Sequence, residues 1–309
     1  MIKRLFLLLA LLLIALPASA AGLRLGVLPA ADSLVLNVAH DEGLFEAEGL
    51  DVDLIPFQSA LELGAAMRAG ELDGHFGDII NVLMQNESGS PQAIVATTSH
   101  SSPQGRCFGL LVSPRSNART LADLKGSDVA MSRATIIDFL LGRLLEQEGV
   151  PPDFLNRQDI RQIPVRLQML LSGQIECALL PEPLVSVMEA RGARTILDDR
   201  KLDTPLAVIA FRRTVLDTPD GPETVARFRR ALVRAAECIN ADPAAYREIM
   251  KKLRLLPKDA DGTYEMVRFD MKNTPAGLPS SDDIKAFAEW MKAQGILKGN
   301  PAYEDVVFP

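Results

Sequence analysis

One rhythm recurs along the chain and restricts its fold more than any other feature. Short apolar runs, each followed by a stretch of helical spacing, come in two successive sets. Residues 23–28 end at Pro29 and suit a buried strand, and a helix over 33–42 follows, closed by Gly43. Residues 50–55 alternate apolar and acidic side chains as a second strand, and 60–69 form a helix stopped by Gly70. Residues 72–76 give a third strand, a helix runs on through Leu83, and 93–97 give a fourth strand. The pattern restarts with strands at 108–112 and 128–131, between which Thr120 and Asp123 open a helix in capping-box style. A helix over 135–147 exits at Gly149, residues 160–164 lead into 165–171, and strands follow at 175–180, 195–197 and 206–211. From Pro222 on the chain is helical, with helix starts at Asp242-Pro243 and at Ser280 to Asp283.

Strands alternating with helices of this length predict right-handed βαβ units, an α/β class and a largely parallel sheet. Two sets and a helical tail fit either two independent domains or two lobes whose strands cross between them, with the tail returning to the first. A length of 309 residues accommodates two substantial cores. The net charge of −7 and the lack of any long Lys/Arg run argue against nucleic acid or an anionic membrane as partner. Three Cys and three His without a Cys-x-x-Cys pair exclude a disulfide scaffold and a zinc module.

The first residues carry Lys3 and Arg4, then an unbroken apolar run over 5–16, Pro17 and Ala18-Ser19-Ala20. That order is a secretory signal with cleavage expected after Ala20; the run falls short of the roughly 20 residues a membrane span needs. The expected location is the periplasm. In that oxidising compartment Cys107, Cys177 and Cys238 are an odd set, and all three read as small buried apolar residues.

In an open parallel sheet a ligand sits beyond the carboxyl ends of the strands, beside helix N-termini. The first set places Asp32 and Ser33, then Gln58 and Ser59, then Asp78 after Gly77, and then Ser99 and His100 at such ends. The second set supplies Ser132, Arg133 and Thr135 ahead of its long helix, and Glu182 between two prolines. A plainer role stands beside each. Asp32, Ser33, Ser59 and Asp78 are also residue types that cap helices, although Gly77 suggests a close backbone approach before Asp78. Ser132 and Thr135 bracket a helix start that suits an anion, with Arg133 either beside it or simply at the surface. Glu182 is held either for a ligand or in a lobe-to-lobe salt bridge. His40 reads as solvated and His75 as a core residue. No catalytic or phosphate-loop signature is present, so no catalytic residue, cofactor or metal is expected.

Leu25-Gly-Val-Leu28, followed by Ala39-His-Asp-Glu-Gly-Leu-Phe-Glu-Ala-Glu-Gly-Leu-Asp-Val52, resembles the opening of solute-binding proteins of ABC importers. The nearest group is that of the sulfonate, nitrate, taurine and thiamine-precursor binders. Ala66-Met-Arg-Ala-Gly-Glu-Leu-Asp-Gly74 with Gly77-Asp78, Thr120-Leu-Ala-Asp-Leu-Lys-Gly126 and Glu182-Pro183 are similar to later stretches of that family, and the likeness covers roughly residues 23–212. It implies a type II periplasmic-binding-protein fold with lobe one at 21–106 plus 207–309 and lobe two at 107–206. Hinge strands are implied near 108–112 and 206–211. It also implies a monomer that clamps a small-molecule ligand without chemistry and delivers it to an inner-membrane ABC permease. With three Tyr and one Trp in the whole chain, hydrogen bonding rather than ring stacking is expected in the cleft. Two other readings are an enzyme of pyrimidine-precursor or menaquinone biosynthesis on the same fold, against which the secretory signal speaks, and a sensing input for a membrane receptor. Arg133 points to an anionic solute, whereas Asp32, Asp78 and Glu182 point to a basic or hydroxylated one, so a molecule carrying both is expected.

Overall fold

Strands β1 (Leu23–Val27), β2 (Val52–Pro56), β3 (Gly74–Gly77), β4 (Gln92–His100) and β10 (Pro205–Arg212) build one five-stranded sheet, in the order β2-β1-β3-β10-β4. Strands β5 (Phe108–Val112), β6 (Asp128–Met131), β7 (Asn156–Asp159), β8 (Cys177–Pro181) and β9 (Arg194–Asp198) build a second, in the order β7-β6-β8-β5-β9. The coordinates are a computed structural model that describes residues 22–254 and 277–309, together with Leu256 and Phe269. The secretory signal expected over residues 1–20 lies outside the described residues.

Parallel pairing joins β1 to β2 and β3, and β6 to β7 and β8, as the βαβ rhythm requires. One strand per sheet breaks it: β10 is antiparallel to β3 and β4, and β5 is antiparallel to β8 and β9. If β10 is counted as the first strand of its set, the two sheets have the same order, third-second-fourth-first-fifth. The halves are therefore topological copies, although no fixed-period repeat is visible in the sequence.

The helices are α1 (Leu34–Asp41), α2 (Leu44–Ala47), α3 (Ala60–Ala69), α4 (Ile79–Glu87), α5 (Ile136–Gln147), α6 (Ile163–Ser172), α7 (Leu184–Ala190), α8 (Arg213–Leu216), α9 (Gly221–Ala241), α10 (Arg247–Lys252), α11 (Ser281–Ala293) and α12 (Tyr303–Val306). Local chemistry sets many of their ends. Ser59 caps α3 by accepting from the Glu62 N–H, and Gly70 ends it at φ 78°. The helix start expected at Ser280 to Asp283 is that of α11, where Ser280 and Asp283 form a capping box. Elsewhere the sequence expectation is corrected. Asp123 does gather the N–H groups of Arg119 and Thr120, but only a three-residue turn, Ala122–Leu124, follows before Gly126 at φ 75°. Asp242 is the C-cap of α9 rather than a helix start. The residues after 97 extend β4 instead of forming a loop, with Ser99 paired to Ala207 and His100 to Pro205. The polar strand β7 has no apolar rhythm because it is an edge, paired with β6 alone.

The chain crosses between sheets twice, after β4 and again between β9 and β10. The crossings touch where the Ser101 N–H and hydroxyl donate to the Thr204 carbonyl, and the Thr204 N–H donates to the Ser101 hydroxyl at 2.9 Å. Phe108–Val112 and Pro205–Arg212, the expected hinge strands, each belong wholly to one sheet. The tail packs back on the first half. α9 lays a buried stripe on α1 and α2, where Phe228 stacks on Phe45 at 5.1 Å and meets Phe211 edge-on at 4.9 Å. Burying each of these rings contributes about 1.5–3 kcal/mol. α11 packs on α4 and also reaches the second half, where Phe287 stacks on Phe139 of α5 at 4.2 Å. No disulfide links the three cysteines; Cys177 is buried, which pushes its thiol up to about 12, while Cys107 and Cys238 are only half-buried.

Candidate ligand-binding site

Between the carboxyl ends of the two sheets lies a cleft that is open to solvent and lined from both halves. Of the residues expected there, Asp32, Gln58, Ser59 and Asp78 line it from the first half, and Ser132 and Thr135 from the second. The structure brings these six together.

Asp78 sits where two helices converge. It caps α4, one carboxylate oxygen accepting from the Asn81 N–H at 2.7 Å. The other oxygen accepts from the Ile136 N–H of α5 in the opposite half at 2.8 Å. One buried carboxylate thus answers two helix N-termini and ties the halves together. Burial pushes its pKa up despite these bonds. The close approach signalled by Gly77 is to protein, since a Cβ there would lie 2.9 Å from the His75 ring.

The α5 start does not offer the open anion site expected of it. Ile136 N–H is taken by Asp78, and Ile137 N–H by the Thr135 hydroxyl, which itself donates to the Ser132 carbonyl. Arg133 turns to the surface, its N–H on Asp159 and its guanidinium on the Arg157 carbonyl, and does not line the cavity.

Four other expected residues also lie off the cavity wall. Ser33 is buried, its hydroxyl donating to the Ala30 carbonyl. Ser99 stands behind Asp32 and donates to it at 2.7 Å. His100 is half-exposed, with Nε2 3.4 Å from Asp203. Glu182 is buried in an ion cluster, with Arg106 at 2.6 Å and the Ser186 N–H and hydroxyl each at 3.1 Å; Glu189 holds the same guanidinium at 2.9 Å. Burial opposes charge on both Arg106 and Glu182, but the bonds to Glu189 and Glu182 keep the guanidinium pKa above its usual value.

Sequence reasoning missed three polar wall residues, Asn81, Arg161 and Arg166. Arg161 shares its charge with Asp159 at 2.9 Å. Arg166, the second arginine of the wall, differs from Arg161. It is 1% exposed, its guanidinium makes one hydrogen bond, to the Leu179 carbonyl at 3.1 Å, and its Nε has no partner. Burial lowers its pKa to about 10, so it stays charged at neutral pH. Asp159 attracts the Arg166 guanidinium electrostatically but forms no ion pair with it, and a buried cation without a close carboxylate costs several kcal/mol unless something else supplies the countercharge. The signal was present in the sequence as one arginine inside the apolar run of α6, on the same face as buried Leu170.

On the facing wall Asp32 is buried with Ser99 as its hydrogen-bonded neighbour, and burial pushes its carboxyl up to about 6. Leu28, Phe76, Phe108, Ile137 and Leu206 add apolar surface to the same cavity wall.

Residues 17–254 match the NMT1-like family. Solved structures share the fold. The alkanesulfonate-binding protein SsuA of Xanthomonas axonopodis pv. citri, bound to MOPS, aligns with a TM-score of 0.73 at 20% identity, over 91% of this chain and 96% of that one. The periplasmic aliphatic sulphonate-binding protein SsuA of Escherichia coli aligns with a TM-score of 0.74 at 15% identity, over 94% and 98%. The periplasmic nitrate-binding protein NrtA of Synechocystis PCC 6803 aligns with a TM-score of 0.68 at 15% identity, over 89% and 82%. No curated protein matches the chain in sequence. The two copied sheets, the cleft between their carboxyl ends and the match over 17–254 agree: the chain belongs to the NMT1-like family and has the periplasmic-binding-protein fold.

Proposed function

We propose that this protein is the substrate-binding component of an ABC importer, a monomer that captures a small organic anion in its cleft and hands it unchanged to an inner-membrane permease. The observation that carries the reading is Arg166, a buried guanidinium on the cavity wall that makes one hydrogen bond, to a carbonyl, and no ion pair. The importer assignment draws on the family and on neighbours named as sulfonate- and nitrate-binding proteins. The periplasm, with cleavage after Ala20, is the location that fits those relatives and the basic, apolar, Ala-x-Ala order of the first twenty residues. Residues 21–106 with 207–309 act as one lobe and 107–206 as the other, a division supported by sheet membership. Closure moves one lobe on the other about the 101–107 and 199–204 crossings, biased by contacts that the solute makes with both.

The test is native mass spectrometry of protein purified without refolding, followed by a thermal-shift screen of carboxylates and sulfonates. A one-site ligand at 100 times its Kd adds about 2.7 kcal/mol of stability. Arg166→Met should abolish the shift while the protein keeps its fold by circular dichroism; an undiminished shift in that variant removes Arg166 from the site.

A further inference from the structure

Resting on that anion-binding reading, we propose that the solute also carries a basic nitrogen, held by Asp32, so that the cleft selects molecules with a cationic N–H group and an anionic group separated by an apolar stretch. Asp32 and Arg166 come from opposite halves and line the same cavity. Asp32 is 7% exposed, and one of its oxygens accepts the Ser99 hydroxyl. Among the described residues no Lys, Arg or His forms an ion pair with it, and none of Asp or Glu forms one with Arg166. Asp78, the other carboxylate on the wall, already spends both oxygens on N–H groups.

Two buried charges of opposite sign would neutralise each other if they met, yet Asp32 and Arg166 share the cavity wall without a bond between them. A plain anion seated on Arg166 leaves Asp32 desolvated beside added negative charge, and a plain cation leaves Arg166 with only the longer-range attraction of Asp159. A molecule charged at both ends compensates both walls at once, and its carbon chain meets Phe76, Phe108 and Ile137. Hydrogen bonds to a charged group are also the ones whose loss discriminates most strongly between otherwise similar ligands.

Isothermal titration of the mature chain at neutral pH provides the test. The probes are ω-amino carboxylates and ω-amino sulfonates of graded chain length, beside the n-alkyl and ω-hydroxy anions of matched length. The best amino compound should bind at least about tenfold tighter than its matched n-alkyl and ω-hydroxy anions. Asp32→Asn should erase that preference by weakening the amino compounds alone, and Arg166→Met should abolish binding of all probes. If the n-alkyl or ω-hydroxy anions bind as tightly as the amino compounds, or Asp32→Asn keeps the preference, the inference fails and the anion reading stands. If no anion of any kind binds the wild-type protein, the anion reading fails as well.

Discussion

Helices α3 and α6 hold the same place in the two halves, each between the third and fourth strands of its set. Each has ten residues and ends at a left-handed glycine, Gly70 or Gly173. Their fourth residues are both fully buried, but one is Leu63 and the other is Arg166. Leu63 packs with Met67 and Leu72 in a small apolar cluster. Arg166 points the same helix position at the cavity. One scaffold therefore carries ordinary packing in one half and a desolvated charge in the other, and only the second needs a reason beyond stability.

The sharpest way to break this comparison is to make the halves alike. Leu63→Arg places a guanidinium in the apolar cluster of Met67 and Leu72, off the cavity wall, and should destabilise by about 3–5 kcal/mol in chemical denaturation. A much smaller loss would mean that buried arginine is tolerated at this helix position in general, and Arg166 would cease to be a signal.

Asp32 gives the next effect. Its carboxyl titrates at about 6 in the folded protein against 3.8 normally, because burial penalises the anion. The penalty is absent below about pH 4, where both states are protonated, and complete above pH 6. Roughly two units at 1.36 kcal/mol each give about 3 kcal/mol. Ligand-free Asp32→Asn should thus exceed wild type in stability by about that amount at pH 7, with the gap closing towards pH 4. His75, which burial holds down at about 4, works in the opposite direction over the same window. It is common to both proteins and cancels in the difference.

Arg166→Met, the mirror of the first substitution, should stabilise the ligand-free protein by about 1–4 kcal/mol while removing anion binding, because a buried charge gives way to an apolar side chain of similar length. Gain of stability with loss of function is the outcome that a purely structural arginine would not produce. Asp78 and Glu182 then sharpen the contrast, since each follows the fourth strand of its set. Glu182 is confined to its own half and the adjoining crossing, whereas Asp78 reaches across the cleft. Asp78→Asn should raise the ligand-free radius of gyration in small-angle scattering. Glu182→Gln should leave that radius unchanged and cost about 1–3 kcal/mol.

What could be read from the sequence follows the range over which each signal acts. The apolar rhythm, the Ser59 and Ser280 caps and the Gly70 stop are set within a few residues, and each appears where it was expected. Strand β7 escaped because an edge strand needs no apolar face, and the shared sheet order escaped because topology can repeat where residues do not. Asp78 and Ser132 could be placed at strand ends, but the bond from Ile136 to Asp78 spans 58 positions and depends on two helices meeting. Arg166 was legible in principle as a charge within an apolar helix face. Its meaning came from its burial on the cavity wall without an ion pair, which is a tertiary fact.

Arg133 shows the reverse, a residue prominent in sequence and idle in the cleft. It stands one position from Ser132 on the wall, yet Ala134 adopts φ 56° and the turn carries the Arg133 side chain out to the Arg157 carbonyl. Its N–H bond to Asp159 is made by the backbone and survives truncation of the side chain. Arg133→Ala should therefore change stability by less than about 0.5 kcal/mol and leave anion affinity unaltered. Measured beside Arg166→Met, it separates the general positive field of the second half from a contact made by one guanidinium. Both variants lower the charge by one unit, so equal losses of affinity would point to the field, and a loss in Arg166→Met alone to the contact.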